Sequence, residues 1–174
     1  GEAPEGDRQY RAEILRSEYG VPHIYGKTDA DVTFGLAYAH AEDDFQTIQE
    51  SIAATRGMLA RYNGADGAPT DYIVALFDVW DTVDAKYDSE VTPEVKAIAD
   101  AYVAGLNLYA AENPDKIMPG LAPFKSKDVI AGSLFKTPFF YGLDATLLEL
   151  FSDDRMAEIA LDPGTGNTAW MVSE

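Results

Sequence analysis

The sequence contains no cysteine. That excludes disulfides, a thiol nucleophile and a thiolate-bound zinc. There are only two histidines, His23 and His40. Basic residues are scarce, with 13 Lys plus Arg against 30 acids and a formal net charge of −17. A chain this acidic is a poor ligand for nucleic acid or for an anionic membrane surface. No apolar run approaches the ~18 residues of a membrane-spanning helix. There is no internal repeat and no low-complexity segment, and no leader is expected within the chain, because Gly1 to Gly6 reads as a trimmed start. What is present is length and apolar content: 174 residues, 47% hydrophobic, enough for one domain with a buried core.

The most informative stretch is Glu13 to Phe45. Ile14 and Leu15 form a strand run ending at Glu18-Tyr19-Gly20, where glycine suits a tight turn. Val21 to Tyr25 restarts as an extended run, and Pro22 forbids a central ladder donor there. Thr28 is an expected helix N-cap, with Asp29 and Asp31 in the first turn, where the helix dipole favours acids. The pattern predicts a hairpin over 9–26 feeding a helix.

Before the hairpin, residues 1–8 read as a loose arm. After it, 29–160 is mainly helical. Phe45, Ile48, Ile52 and Leu59 fall near one face of a helix running to about Tyr62. Asn63 to Pro69 reads as a loop. Ile73, Leu76, Phe77 and Trp80 predict one helix from Tyr72 to about Tyr87. Thr92-Pro93-Glu94 is a helix start with Pro at the first position. Val95, Ile98, Ala99, Tyr102, Val103, Leu106 and Tyr109 then keep the helical period until Asn113-Pro114 ends it. Asp115 to Phe124 is a loop. Ser126 is expected to cap a helix from about Lys127 to Lys136, which Thr137 to Gly142 interrupts or bends. A further helix is expected to Ala160, then a break at 162–166 and a short strand over Asn167 to Val172. A two-stranded hairpin is marginal in water, so the terminal strands are expected to complete a sheet supplied by another polypeptide.

Arg16, Tyr19, Gly20, Val21, Pro22, His23, Ile24 and Gly26, followed by Ala39, Ala41, Glu42 and Asp43, make two ordered motifs. Together they resemble the opening of the family that includes penicillin acylases, acyl-homoserine lactone acylases and aculeacin-type acylases. Members are N-terminal-nucleophile hydrolases, cut by self-processing into a small α and a large β chain. The resemblance implies that this chain is a single-domain α chain, α+β and helix-dominated, completing an αββα sandwich with a separate β chain. It implies export to the periplasm or the outside. It also implies that 162–174 lies near the processing site, with the nucleophilic serine opening the next chain. Gly166-Asn167-Thr168-Ala169-Trp170 partly echoes the family's β-chain start, but Asn167 stands where a serine would be needed.

Each candidate side chain has a bland reading beside the chemical one. His23 is a general base or a histidine bonded to loop backbone, and His40 sits mid-helix; the structural reading is taken for both. Glu42, Asp43 and Asp44 are a metal or acid/base set, or a solvated and helix-capping run. Adjacent helix residues point apart, so the second reading is preferred unless the helix breaks. Ser173 and Thr168 need an activating base in space. Phe135, Phe139, Phe140 and Tyr141, followed by Leu147, Leu148, Leu150 and Phe151, are ordinary core or an apolar acyl pocket. The resemblance favours the pocket, because Leu150-Phe151-Ser152-Asp153 aligns with an Arg-Phe-Ser-Asp segment that lines the acyl site in penicillin-cleaving members. The substrate-binding residues are then Phe139, Tyr141, Leu147, Leu150 and Phe151. Leu150 replaces the arginine and favours an aliphatic acyl group. No catalytic residue and no cofactor is assigned to this chain. The family's structural Ca²⁺ is bound partly through a glutamate about two turns on, and Glu158 stands one residue from that place, so no metal ligand is assigned.

The expected function is the α subunit of a heterodimeric amidohydrolase acting on small N-acyl compounds, acyl-homoserine lactones first and penicillin-type β-lactams second. Its partner would be the β subunit of the same precursor. The reading from another class is a non-catalytic helical module whose aromatic patch binds a partner.

Overall fold

The computed structural model describes residues 9–140 and Gly142, with the backbone alone for Phe139 and Phe140. The chain divides into two units, Gly1–Phe135 and Lys136–Glu174; the fold that follows is that of the first. It begins with the expected hairpin, β1 (Ala12–Arg16) antiparallel to β2 (Pro22–Gly26), in register Ile14↔Ile24 and Arg16↔Pro22. Gly20 makes the turn at φ 80°, the left-handed region a side chain disfavours.

Thr28 caps α1 (Asp29–Thr55), and the cap is reciprocal. The Thr28 hydroxyl accepts from the Asp31 amide at 3.1 Å, while the Asp31 carboxylate accepts from the Thr28 amide at 3.2 Å. One helix to Tyr62 was the expectation; the chain breaks at Gly57 (φ 64°) and resumes as α2 (Leu59–Asn63). The expected loop at 63–69 is shorter than predicted. A 3₁₀ turn covers Gly64–Gly67, and Pro69 lies in the first turn of α3 (Ala68–Leu76), where its missing N–H has no helical partner to lose.

The predicted helix from Tyr72 to Tyr87 is two helices. Asp78 adopts a left-handed φ of 47°, which a short polar residue tolerates, and α4 (Val79–Glu90) starts in a new direction. The buried set changes accordingly. Ile73 is buried, but Leu76 and Phe77 are exposed, and Val74, Val79 and Val83 pack with Ala131 instead. α5 (Pro93–Glu112) follows the sequence closely, with the Thr92 hydroxyl accepting from the Val95 amide.

α1 packs along α5, and this pair makes the main core: Phe45, Ile48, Leu106, Tyr109, Leu121 and Phe124 among others. The helices approach closely at Gly105. A Cβ there would collide with the Phe34 carbonyl and lie 2.9 Å from the Ala37 Cβ. The loop after α5 is held by two buried or half-buried amides. Gln49 donates to the Lys116 carbonyl at 3.0 Å and accepts from the Met118 amide at 2.7 Å. Asn107 makes the same double bond to Phe124, 2.9 Å each way. These bonds let an irregular segment cover the core without orphaned backbone groups.

The last helix among the described residues, α6 (Ser126–Phe140), differs from expectation at both ends. Ser126 is its first residue, not its cap, and its hydroxyl bonds to Asp100. The Lys125 amide is taken by Asp128 at 2.7 Å instead. The helix also continues past Lys136, with Pro138 inside its last turn.

Candidate functional site

The two motifs singled out in the sequence meet at one guanidinium. Arg16 ends β1. Its Nη2 lies 3.0 Å from Glu42 Oε2, and its Nη1 lies 2.9 Å from Asp43 Oδ1. It also donates to the Gly20 carbonyl at 2.9 Å, so one side chain ties the hairpin turn to α1. Such half-exposed pairs each contribute little, about 0–1 kcal/mol. Arg16 gains by making several bonds from one planar fork.

The acidic run does contain the break that sequence reasoning left as a condition. Asp44 leaves helical geometry at φ −154°, ψ 66°, and α1 restarts after it. Asp44 Oδ1 accepts from the Thr47 amide at 3.2 Å, capping the restart. Its carboxyl lies below the ordinary range, first because of the Thr47 hydroxyl and then the Thr47 amide. The capping role therefore holds for Asp44, while Glu42 and Asp43 are ion-paired with Arg16. Among the described residues no three His, Asp or Glu side chains are arranged to hold a metal ion. A concavity of about 440 Å³ opens beside the kink, lined by Glu42, Asp43, Asp44, Gln46, Tyr109 and Lys116. Its polar groups are already engaged: Lys116 Nζ donates to the Tyr109 hydroxyl at 2.8 Å, Gln46 donates to Glu50, Asp44 accepts from Thr47, and Glu42 and Asp43 pair with Arg16.

Among the described residues neither histidine bonds to a serine or threonine hydroxyl. His23 is exposed on the outer face of the hairpin, opposite Leu15. His40 Nδ1 is 3.1 Å from the Tyr102 hydroxyl, and burial raises the pKa of that phenol, so Tyr102 is held neutral. Of the predicted pocket residues, Phe139 stands in the last turn of α6. Tyr141, Leu147, Leu150 and Phe151 lie outside the described residues, as do Glu158, Thr168, Ser173 and the expected strand over 167–172.

Sequence reasoning missed the Arg16 junction and a second arginine, Arg56. Arg56 reaches both oxygens of Asp128, at 2.7 and 2.6 Å, and the carbonyls of Leu121 and Pro123. The available signal was a cation beside a helix-ending glycine, Gly57, and an acid three residues past Lys125. Gln49 also left a trace, as a polar residue inside the apolar stripe Phe45-Ile48-Ile52.

The Penicillin amidase family model matches residues 11–170. Among curated proteins, the chain is 31% identical to the acyl-homoserine lactone acylase PvdQ of Pseudomonas savastanoi pv. phaseolicola, over 63% of this chain and 15% of that protein. It is 29% identical to the acyl-homoserine lactone acylase QuiP of Pseudomonas fluorescens, over 63% of this chain and 13% of that one. It is 41% identical to the aculeacin-A acylase of Actinoplanes utahensis over a shorter segment, 36% of this chain and 8% of that protein. The matched region is thus a small part of each of these relatives. Among solved structures, a chain of the thermostable penicillin G acylase from Alcaligenes faecalis shares the fold at a TM-score of 0.61 and 16% identity, covering 90% of this chain and 91% of that one. With helices dominating and one small sheet among the described residues, and with the family model matched from Arg11 to Trp170, this chain belongs to the penicillin amidase family.

Proposed function

We propose that this chain is the smaller, scaffold-forming subunit of a self-processed amidohydrolase. The reaction is hydrolysis of an N-acyl amide to a carboxylic acid and an amine. Acyl-homoserine lactones are the first substrate class and penicillin-type β-lactams the second. The family match over 11–170 carries the reading, and the likeness to the acyl-homoserine lactone acylases PvdQ and QuiP puts acyl-homoserine lactones first. In this reading a serine opening a larger chain attacks the amide carbonyl. Its own α-amino group takes the hydroxyl proton and passes it to the leaving amine, and water then releases the acyl group. Phe139, Tyr141, Leu147, Leu150 and Phe151 form part of the acyl wall. The precursor is exported to the periplasm or beyond before or during assembly.

The test is the precursor with that serine replaced by alanine. It should remain a single uncut chain with no release of homoserine lactone from an N-acyl-homoserine lactone, while the parent gives two chains and activity. A fully cut alanine variant overturns the mechanism. A parent that is neither cut nor active leaves the non-catalytic binding module as the surviving reading.

A further inference from the structure

α6 is held at its start by hydrogen bonds of fixed direction and further along by apolar contacts. Arg56 is the C-terminal cap residue of α1. Its side chain is 16% exposed and that of Asp128 is 1% exposed. Every arm of the guanidinium is used. Nε donates to Asp128 Oδ1 at 2.7 Å, Nη2 to Asp128 Oδ2 at 2.6 Å and to the Pro123 carbonyl at 3.1 Å, and Nη1 to the Leu121 carbonyl at 2.6 Å. Asp128 Oδ2 also accepts from the Lys125 amide at 2.7 Å, which closes the first turn of α6. One planar fork therefore holds both the helix start and the loop that leads into it.

Ala131 comes next on that side of α6, buried with Val74, Val79 and Val83, and Phe135 packs on the same cluster. Such contacts press the helix onto the core, but apolar attraction is non-directional and sets no angle. Asp128, Ala131, Phe135 and Phe139 follow one another at three, four and four residues, the spacing of a single helix stripe. The stripe that seats α6 on the core thus runs on to Phe139, in the last turn of the same helix. Phe139 is eleven residues past Asp128, about 16 Å along the axis. A tilt of about 5° at the fork would move that turn by roughly 1.4 Å over such a length. A misplacement of about 1 Å is enough to cost an enzyme rate.

We infer that Arg56 is a positioning residue for acyl-chain selection: through Asp128 it sets the direction of α6, and so the place of Phe139 in the acyl wall. This rests on the subunit reading above, in which Phe139 belongs to that wall. Arg56 acts through the helix and not on the substrate.

The test is kcat/KM for N-acyl-homoserine lactones of increasing chain length, measured on the assembled two-chain protein well below its melting temperature. Arg56→Lys keeps a cation beside Asp128 and gives up the fork. It should change the ratio of long-chain to short-chain kcat/KM at least about threefold, through the KM of the long chains. Asp128→Asn keeps an acceptor for the Lys125 amide and should move the ratio in the same direction. Gly105→Ala, whose methyl presses on Phe34 and Ala37 of α1, is the structural control and should leave the ratio unchanged. In a Phe139→Ala background Arg56→Lys should add little, because both act at one place. Parent-like ratios in Arg56→Lys and Asp128→Asn, or effects additive with Phe139→Ala, overturn the inference and leave the subunit reading standing. A Phe139→Ala profile identical to the parent's removes that residue from the wall and this inference with it. A parent with no second chain and no N-acyl hydrolysis overturns the inference and the subunit reading together.

Discussion

Arg56 and Asp128 face each other as a two-pronged ion pair, Nε to Oδ1 at 2.7 Å and Nη2 to Oδ2 at 2.6 Å, with the acid's side chain 1% exposed. The pair joins the end of α1 to the start of α6. Removing one partner of a buried pair costs ~3–5 kcal/mol, because the other charge stays buried without compensation. Asp128→Ala should therefore lower the unfolding free energy of the assembled protein, read from urea titration, by that much. Swapping both residues for apolar ones is often neutral for a simple pair. Here Arg56→Met/Asp128→Leu should still cost roughly 1–3 kcal/mol per orphaned group, since the Leu121 and Pro123 carbonyls and the Lys125 amide lose their partners. A double variant as stable as the parent would show that those backbone groups find water.

Gly105 is the second position where a small change should be expensive. Its missing Cβ is the space in which α1 passes, against Phe34 and Ala37. Gly105→Ala raises helix propensity by ~1 kcal/mol, yet overpacking costs typically 1–3 kcal/mol. The obstructing atom is a backbone carbonyl that cannot swing aside, so the net effect should be destabilising. A melting temperature at or above the parent's would mean that the helices shift apart at little cost.

Legibility in the sequence follows the kind of interaction. Elements set by their own residues were readable. Thr28 and Thr92 both cap as predicted, and Gly20 turns the hairpin. Breaks made by residues with several allowed conformations were not. Nothing in the Ile73-Leu76-Phe77-Trp80 spacing reveals that Asp78 turns left-handed, and the apolar period runs straight across it. Long-range polar bonds were the least readable. Ser126 looks like a cap, yet its hydroxyl goes to Asp100, while Asp128 serves both Lys125 and Arg56. Local chemistry allows either assignment, and the fold decides which partner is near. For the site, Glu42 and Asp43 were read as solvated because their cation, Arg16, lies on another element.

Tyr38 gives the pH prediction. Its hydroxyl is pushed up to about 12, first by burial and then by donating a 2.8 Å hydrogen bond to Glu112. The folded state prefers the neutral phenol, so the folded pKa lies above the unfolded value of ~10. That stability is fully present below pH ~10 and is lost as pH rises through about 12. Tyr38→Phe should flatten this part of the alkaline decline. Urea midpoints of parent and variant measured from about pH 9 to about 12 check it, and parallel curves would assign the decline to other groups.

The chain alone should not be a stable protein. Leu15, Val21 and Tyr25 are exposed on the hairpin, and Tyr72, Leu76 and Phe77 around α3, more apolar surface than a free monomer ordinarily keeps in so few elements. The isolated 174-residue chain should melt without a cooperative transition or associate. A sharp, concentration-independent melt of a monomer would count against the subunit reading.

The acyl wall is tested through substrate length, since Tyr141, Leu147, Leu150 and Phe151 lie outside the described residues. Leu147, Leu150 and Phe151 are spaced i, i+3, i+4, which on a helix puts them on one face. An apolar wall distinguishes substrates by only ~1–3 kcal/mol per methylene, so preference should be graded along a series. Phe151→Ala removes volume and should shift the optimum toward longer or bulkier acyl groups, with short chains losing rate because they are held less firmly. Leu150→Arg puts a charge where an aliphatic tail would lie and should penalise the longest chains most, since burying that cation unpaired is costly. The measurement is kcat/KM across an acyl-length series for parent and both variants. A profile that keeps its shape while every rate scales together would make these residues ordinary core and put the acyl pocket elsewhere.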